Sequence, residues 1–339
     1  MISLGAEAMD ATRIFVDSEF ARLRTVVLAE CEFRAPDAMP LPADLAFLPQ
    51  QASAAGSQTP GRSLAESHPD VQRAWEAERE ALAAVLRRHQ VEVLRPRKLN
   101  AAEKAFAGAR GYANFFTRDP FFTIGPFLIE GSLRFVYRRI EVLPARDLIF
   151  DWAMRTGCLY VAVPQPAIAD DDDGGAGPFL EGGDILILGR HVFVGQSGLA
   201  SNDAGIRWLA NLLRPMGYTV EGVRLRPDVL HLDCALSLVR PGVMVVCEDA
   251  FLDGVPSALA NWTRIAVGLD EVAQLAVNGL PVTSDIYITD PAFAAVGEAL
   301  ARHGVAVEYV DFAISRSDRK SGSAGMPRPT RKSRMPSSA

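Results

Sequence analysis

Two short phrases in this 339-residue chain set an acid/base side chain and carboxylates at spacings that could do chemistry. The first is Leu230-His231-Leu232-Asp233-Cys234, in which apolar and polar residues alternate. Read as a strand, the period of two puts His231 and Asp233 on one face, a proton donor or acceptor beside a carboxylate. The second is Leu180-Glu181-Gly182-Gly183-Asp184, directly before the apolar run Ile185 to Leu188. On a regular strand Glu181 and Asp184 would face opposite ways, but two glycines allow a bulge that re-aims one of them and lets a ligand approach the backbone. Taken singly, a half-buried His beside a solvated Asp explains the first phrase and a Gly-rich hairpin explains the second.

Their weight comes from company. Phe116-Thr117-Arg118-Asp119-Pro120 is an Arg-Asp pair among aromatics, and Val136-Tyr137-Arg138-Arg139-Ile140-Glu141 reads on its own as an exposed strand edge. Four carboxylates (Asp119, Glu181, Asp184, Asp233), one His and a spare Arg suit a substrate that carries a planar cation and a carboxylate. A guanidinium presents five donors in a fixed fork that carboxylates match bidentately, so arginine is the substrate expected first.

The elements that must position these residues repeat one phrase: helix, tight turn, Val-rich strand. Helices are expected over 69–88, 146–156, 202–216 and 291–303, each followed closely by a strand: 91–94, 158–163, 218–223 and 305–310. Further paired strands are expected over 23–30, 127–129 with 134–137, 185–188 with 192–195, 230–239 with 243–247, and 286–289. Such ββαβ units recur about every 60 residues and bury little alone, so roughly five copies in a radial or stacked α/β array are expected. The stretch 35–67 reads as a long loop, 318–339 as a disordered basic tail, and 1–317 as one domain.

Composition bounds the partners. With 49% hydrophobic and 22% charged residues this is an ordinary globular chain, and its start has neither a basic segment nor an apolar one, so the cytoplasm is expected. No run approaches the roughly 18 apolar residues of a membrane span. The chain holds 35 basic and 41 acidic residues; seven of the basic ones and one acid follow Ile314, leaving 28 against 40, a net of −12, on the rest. A body that acidic is a poor nucleic-acid surface and suits a cationic small molecule. The four cysteines lack metal-like spacing, and the acidic run Asp170 to Asp173 lacks the ligand pattern of a calcium loop, so neither a metal nor a cofactor is expected. Oligomeric state is left open, a homodimer included.

With these motifs in order, the sequence resembles the guanidino-group-modifying enzymes: amidinotransferases, arginine deiminases and dimethylarginine dimethylaminohydrolases. The resemblance rests on Phe116 to Pro120, Leu180 to Asp184, Gly195-Gln196-Ser197 with Gly205 to Leu209, and His231-Leu232-Asp233. It implies a five-bladed α/β propeller, the pentein fold, in agreement with the repeat. It also implies that Asp119, Glu181 or Asp184, and Asp233 grip the guanidinium, that His231 is the general acid/base, with Asp184 beside it in the catalytic set, and that Arg138 holds the substrate carboxylate. In that chemistry a thiolate attacks the guanidinium carbon and His231 protonates the departing amine. The amidino-thioether left behind is then resolved by water in a hydrolase or by an amine in a transferase.

One part departs from the family. Its nucleophilic Cys lies near the C-terminus in a Gly-rich segment, whereas here no cysteine follows Cys247 and the chain turns basic and low in complexity after Ser317. An altered reading frame is one expectation, and a catalytically dead protein that binds an arginine-like ligand is the alternative to an enzyme. Among the remaining thiols, strand alternation points Cys234 away from the His231 face, Cys158 and Cys247 lie in apolar strands, and Cys31 is the least excluded.

Overall fold

The computed structural model describes residues 14–37, 60–166 and 176–316. The expected tail, most of the expected 35–67 loop and the run Asp170 to Asp173 lie outside the described residues.

Helix α1, Pro69–Arg88, starts at a proline whose fixed φ suits a first turn, carries Asp70 there, and ends on Arg87 and Arg88, which complement the helix dipole. Its inner face buries Trp75, Ala83, Val85 and Leu86. Helix α2 spans Val142–Thr156 and ends at Gly157 in the left-handed region, the turn read from sequence. In α3, Asp203–Leu213, the Asn202 side chain caps the N-terminus by accepting the Gly205 N–H at 3.1 Å. Helix α4 is Ala294–Arg302.

Each helix returns the chain to a strand parallel to one already laid down. The strands are β1 Thr25–Val27, β2 Glu32–Arg34, β3 Glu92–Leu94, β4 Tyr112–Asn114, β5 Phe121–Ile124, β6 Phe127–Glu130, β7 Leu159–Ala162 and β8 Ile185–Leu188. They continue as β9 His191–Gln196, β10 Thr219–Arg224, β11 Leu236–Arg240, β12 Val243–Val246, β13 Thr263–Ala266, β14 Leu280–Thr283, β15 Ile286–Thr289 and β16 Ala306–Tyr309. Four three-stranded sheets are built alike: β5-β6-β7, β8-β9-β10, β11-β12-β13 and β14-β15-β16, each an antiparallel pair followed by a parallel third strand. The pairs β1-β3, parallel, and β2-β4, antiparallel, stand apart from them. The expected ββαβ repeat therefore appears as separate small α/β sheets. Among the described residues no helix is long and apolar enough to cross a membrane.

Two expectations fail locally. The partner of β6 is β5, not 134–137; the segment Val136–Glu141 is a 3-10 helix with Arg138, Ile140 and Glu141 buried, not an exposed strand edge. Likewise Leu230 to Cys234 is not strand: Leu232–Cys234 is a 3-10 turn, and β11 starts only at Leu236. In both places a buried polar residue needs a partner inside the protein, and a tight helical turn reaches it where alternation would not.

The last described turn is fastened to α1. The buried carboxylate of Glu78 accepts the N–H groups of Ile314 and of Ser315, the latter at 3.0 Å, and the Ser315 hydroxyl at 2.7 Å. Ile314 packs on the apolar cluster that holds Trp75 and Phe115, against which Phe116 also packs.

Candidate active site

The chemistry-bearing residues occupy one position of the repeat, just before the first strand of each sheet. Asp119 precedes β5, Glu181 and Asp184 precede β8, His231 and Asp233 precede β11, and Asn278 precedes β14. Backbone pairs tie these segments together: Gly182 N–H donates to Asp119 O at 3.0 Å, and the Asp184 carboxylate accepts Leu232 N–H at 3.1 Å and Ser201 N–H at 3.0 Å. Asp184 is thus spent on holding the His231 turn against the Gly182–Asp184 turn. Of the two acids left open by sequence, Glu181 is the one that faces His231.

At the centre, His231 Nε2 lies 3.0 Å from Glu181 Oε2, and its Nδ1 lies 3.7 Å from Asp119 Oδ1. The same two carboxylates hold a guanidinium. Arg138 Nη2 donates to Asp119 Oδ2 at 2.8 Å, and Nη1 reaches Glu181 Oε2 at 3.3 Å. Glu141 takes the Arg138 fork bidentately, with Nε and Nη2 both at 2.8 Å. Arg138 is only 1% exposed, and Phe116 packs with its ring centroid 5.9 Å from the guanidinium carbon. The Arg138 cation is thus enclosed by three acids, Glu141, Asp119 and Glu181. Asp233 stands further out, with Arg118 Nε 3.3 Å and Asn278 Nδ2 3.3 Å away.

Burial works against the charged form of His231, but Asp119, Asp184 and Glu181 outweigh it and push the imidazole up to about 10. Burial also raises Asp119, yet His231 and Arg138 overcome it and hold that carboxylate below its ordinary range. Desolvation wins at Asp184 and at Glu141, each pushed up to about 7 against its cationic neighbour. His231 therefore carries a proton it can donate at neutral pH. Because its folded value lies above the ordinary 6.5, the stabilisation from its charge is complete below about 6.5 and disappears as pH rises through about 10. The stability gap between the protein and His231→Gln in denaturant titrations should narrow between pH 7 and 10. A gap already closed at pH 7 would mean that the imidazole is neutral there.

Comparison with known proteins bears on the fold. No protein-family model matches the chain. An inosamine-phosphate amidinotransferase of Streptomyces griseus is 25% identical over 233 residues, which cover 61% of this chain and 65% of the relative's length. Its solved structure matches 89% of this chain and 92% of that one with a TM-score of 0.71 at 21% identity. An amidinotransferase of Microseira wollei matches 88% and 92% at a TM-score of 0.71 and 18% identity. A dimethylarginine dimethylaminohydrolase of Pseudomonas aeruginosa, solved with citrulline, matches 87% and 94% at 0.59 and 18%. The chain has the α/β fold of the guanidino-modifying enzymes. At these identities the structural matches speak for the fold alone; roles within it have to be argued from the side chains.

In this fold the glycine pair has a definite use. A Cβ at Gly183 would stand 2.5 Å from His231 Nδ1 and 2.8 Å from Asp119 Oδ1, and one at Gly182 would collide with the Arg118 carbonyl. Gly183→Ala should therefore push His231 off Asp119, costing about 1–3 kcal/mol of stability as overpacked interiors do. Thermal unfolding measures this, and an unchanged midpoint would show that the two side chains are not in contact with that turn.

Sequence reading missed Glu141, Asn278, Glu19 and Ser201. Only Asn278 left a signal, its place before β14 matching that of Asp119 before β5. The cysteines also need correction. Cys31, least excluded by sequence, is 2% exposed among Phe33, Trp75 and Phe115, and burial pushes its thiol up to about 11. Cys158 and Cys247 sit in apolar clusters with thiols raised by burial. Cys234, which alternation pointed away, lies beside Asp233, its Sγ 3.6 Å from Oδ1, because the 3-10 turn replaces the strand.

Donor atoms of Asp119, Glu181 and His231 lie within 4.8 Å of one another, a spacing that a metal ion could bridge. Arg138 already shares both carboxylates, so a metal would have to sit against a second cation. A cleft of about 550 Å³ lies elsewhere, lined by Arg34, Ser63, Glu66, Lys104 and Tyr112. Its cations are paired with Asp37 and Glu32, and none of the His231 set lines it, so chemistry rather than size identifies the site.

Proposed function

We propose that this protein binds an arginine-like guanidino compound at Asp119, Glu181 and Asp233 beside His231, within five α/β units set around that site. The observation that carries this reading is that Asp119 and Glu181 already hold one guanidinium, that of Arg138, within reach of a protonated His231. Arg138 takes Asp119 through Oδ2, so Asp119 Oδ1, with Asp233, supplies the acceptors that would offset the desolvation of a ligand cation. His231 supplies the proton for a departing amine, and Asp184 keeps its turn in place.

Amidino transfer also needs a thiolate to form the covalent bond, and the four cysteines of this sequence are Cys31, Cys158, Cys234 and Cys247, all buried. We therefore assign amidinotransferase or amidinohydrolase chemistry on a guanidino compound to this site, with each of Cys31, Cys158, Cys234 and Cys247 buried rather than placed as an exposed nucleophile. Protein whose C-terminus is verified by intact mass should yield neither citrulline nor ornithine from arginine. Robust product would show that the thiol has been misplaced, and Cys234→Ser, rather than a change at Cys31, would then be the first variant to make.

A further inference from the structure

We propose that Asn278 is a positioning residue for the ligand: its side-chain amide fixes the Asp233 carboxylate in the orientation that takes a guanidinium. This rests on the guanidino reading above and adds the group that aims one of its carboxylates.

The position just before the first strand of a sheet carries Asp119, then Glu181 and Asp184, then His231 and Asp233, and in the fourth sheet Asn278, a neutral amide. Asn278 is exposed, and its Nδ2 donates to Asp233 Oδ1 at 3.3 Å. Asp233 is the least buried of these acids. Its Oδ2 faces Arg118 Nε at 3.3 Å, and its Oδ1 takes Asn278 and, at 3.6 Å, the Cys234 thiol. A carboxylate gripped on one oxygen can pivot about it, whereas a donor on the other oxygen sets its plane.

The backbone that presents Asn278 is strained. Leu275 has a φ of 69°, and Gln90 is the other non-glycine residue of positive φ among the described residues. Such a conformation persists only where its surroundings impose it, and here they do. Leu275 N–H donates to Val272 O at 2.9 Å, Asn278 N–H to Leu275 O at 3.1 Å and Gly279 N–H to Val277 O at 2.8 Å. From beneath, the buried Tyr287 hydroxyl donates to Val277 O at 3.3 Å, and a Cβ at Gly279 would collide with the Tyr287 ring. The Asn278 side chain takes no part in this bracing; its one hydrogen bond among the described residues goes to Asp233.

A neutral donor suits the place. Burial pushes the Asp233 carboxyl above its ordinary range, with Arg118 and His231 opposing it and Asp119 adding to it. A donated N–H favours the charged form that a guanidinium needs. A further cation at Asn278 would instead compete with the ligand for that charge.

Two readouts test this. The first needs no ligand: followed by carbon NMR, the protonation midpoint of the Asp233 carboxyl should rise by about half a unit or more in Asn278→Ala. The second is a calorimetric cycle with arginine over the full chain, Asn278→Ala, Asp233→Asn and the double variant. Asn278→Ala should weaken arginine about fivefold, the scale of one hydrogen bond, and should add nothing in the Asp233→Asn background. Asn278→Gln, which keeps the amide, should recover most of the affinity. Asn278→Asp should weaken binding more at pH 8 than at pH 5, where a protonated carboxyl can again donate to Asp233. An unchanged Asp233 midpoint, or the same loss of affinity with and without the Asp233 charge, overturns the role of Asn278. Failure of arginine to bind the full chain would overturn the guanidino reading instead, and the Asp233 midpoint would then decide alone whether Asn278 holds that carboxylate.

Discussion

Joining a Gly-rich, Cys-containing segment after Ser317 should give the protein turnover of arginine, and changing that Cys to Ser should remove it again by on the order of a thousandfold or more, as loss of a catalytic nucleophile does. Two features make the graft reasonable. The Glu78 carboxylate and the cluster of Trp75 and Phe115 fix the chain at Ile314 and Ser315, on the same cluster against which Phe116, in the motif that carries Asp119, packs. His231, protonated at neutral pH, would also favour the thiolate form of a neighbouring Cys, just as His⁺ lowers thiol pKa values elsewhere. A serine there would need a base to activate it, and His231 already holds its proton. Activity that survives the Cys→Ser change would place the nucleophile elsewhere.

Replacing Arg138 with Met should lower stability by about 3–5 kcal/mol, the usual cost of removing one partner from a buried ion cluster. Arg138 compensates Glu141, Asp119 and Glu181, all nearly inaccessible to water, and Met leaves three acids facing one another. For a protein of this size that loss corresponds to a fall in Tm of very roughly 10 °C. The deficit should be smaller at pH 5 than at pH 8, because the stranded carboxylates can take up protons; Glu141 is already pushed up to about 7 with Arg138 present. Thermal scans at the two pH values measure both effects. A shift of only a degree or two at pH 8 would mean that the cluster is wetter and looser than its distances indicate.

Much of the site was legible because its signals are local. Asp119, Glu181 and His231 stand in short motifs whose residue types declare their chemistry, and the glycine pair announced a tight approach, which Gly183 makes to His231. Arg138 and Glu141 were misread because a 3-10 turn pairs residues three apart, while their flanking apolar residues mimic strand alternation. The same confusion turned Cys234 away from Asp233. Helices were legible to within a few residues, since Pro69, Asn202 and Gly157 mark their ends. Strands β2, β4, β13 and β14 have three or four residues each, too few for a period to show, and their pairing partners across the sheet define them.

The most direct measurement is a calorimetric titration of arginine into the full chain and into its Asp119→Asn variant. That substitution keeps the size of the side chain and removes the charge that Arg138 Nη2 and His231 share. A guanidinium cradle at this point predicts one saturable site per chain and at least a tenfold weaker affinity in the variant, equivalent to about 1.4 kcal/mol. No binding to the full chain, or equal binding to both proteins, would contradict it.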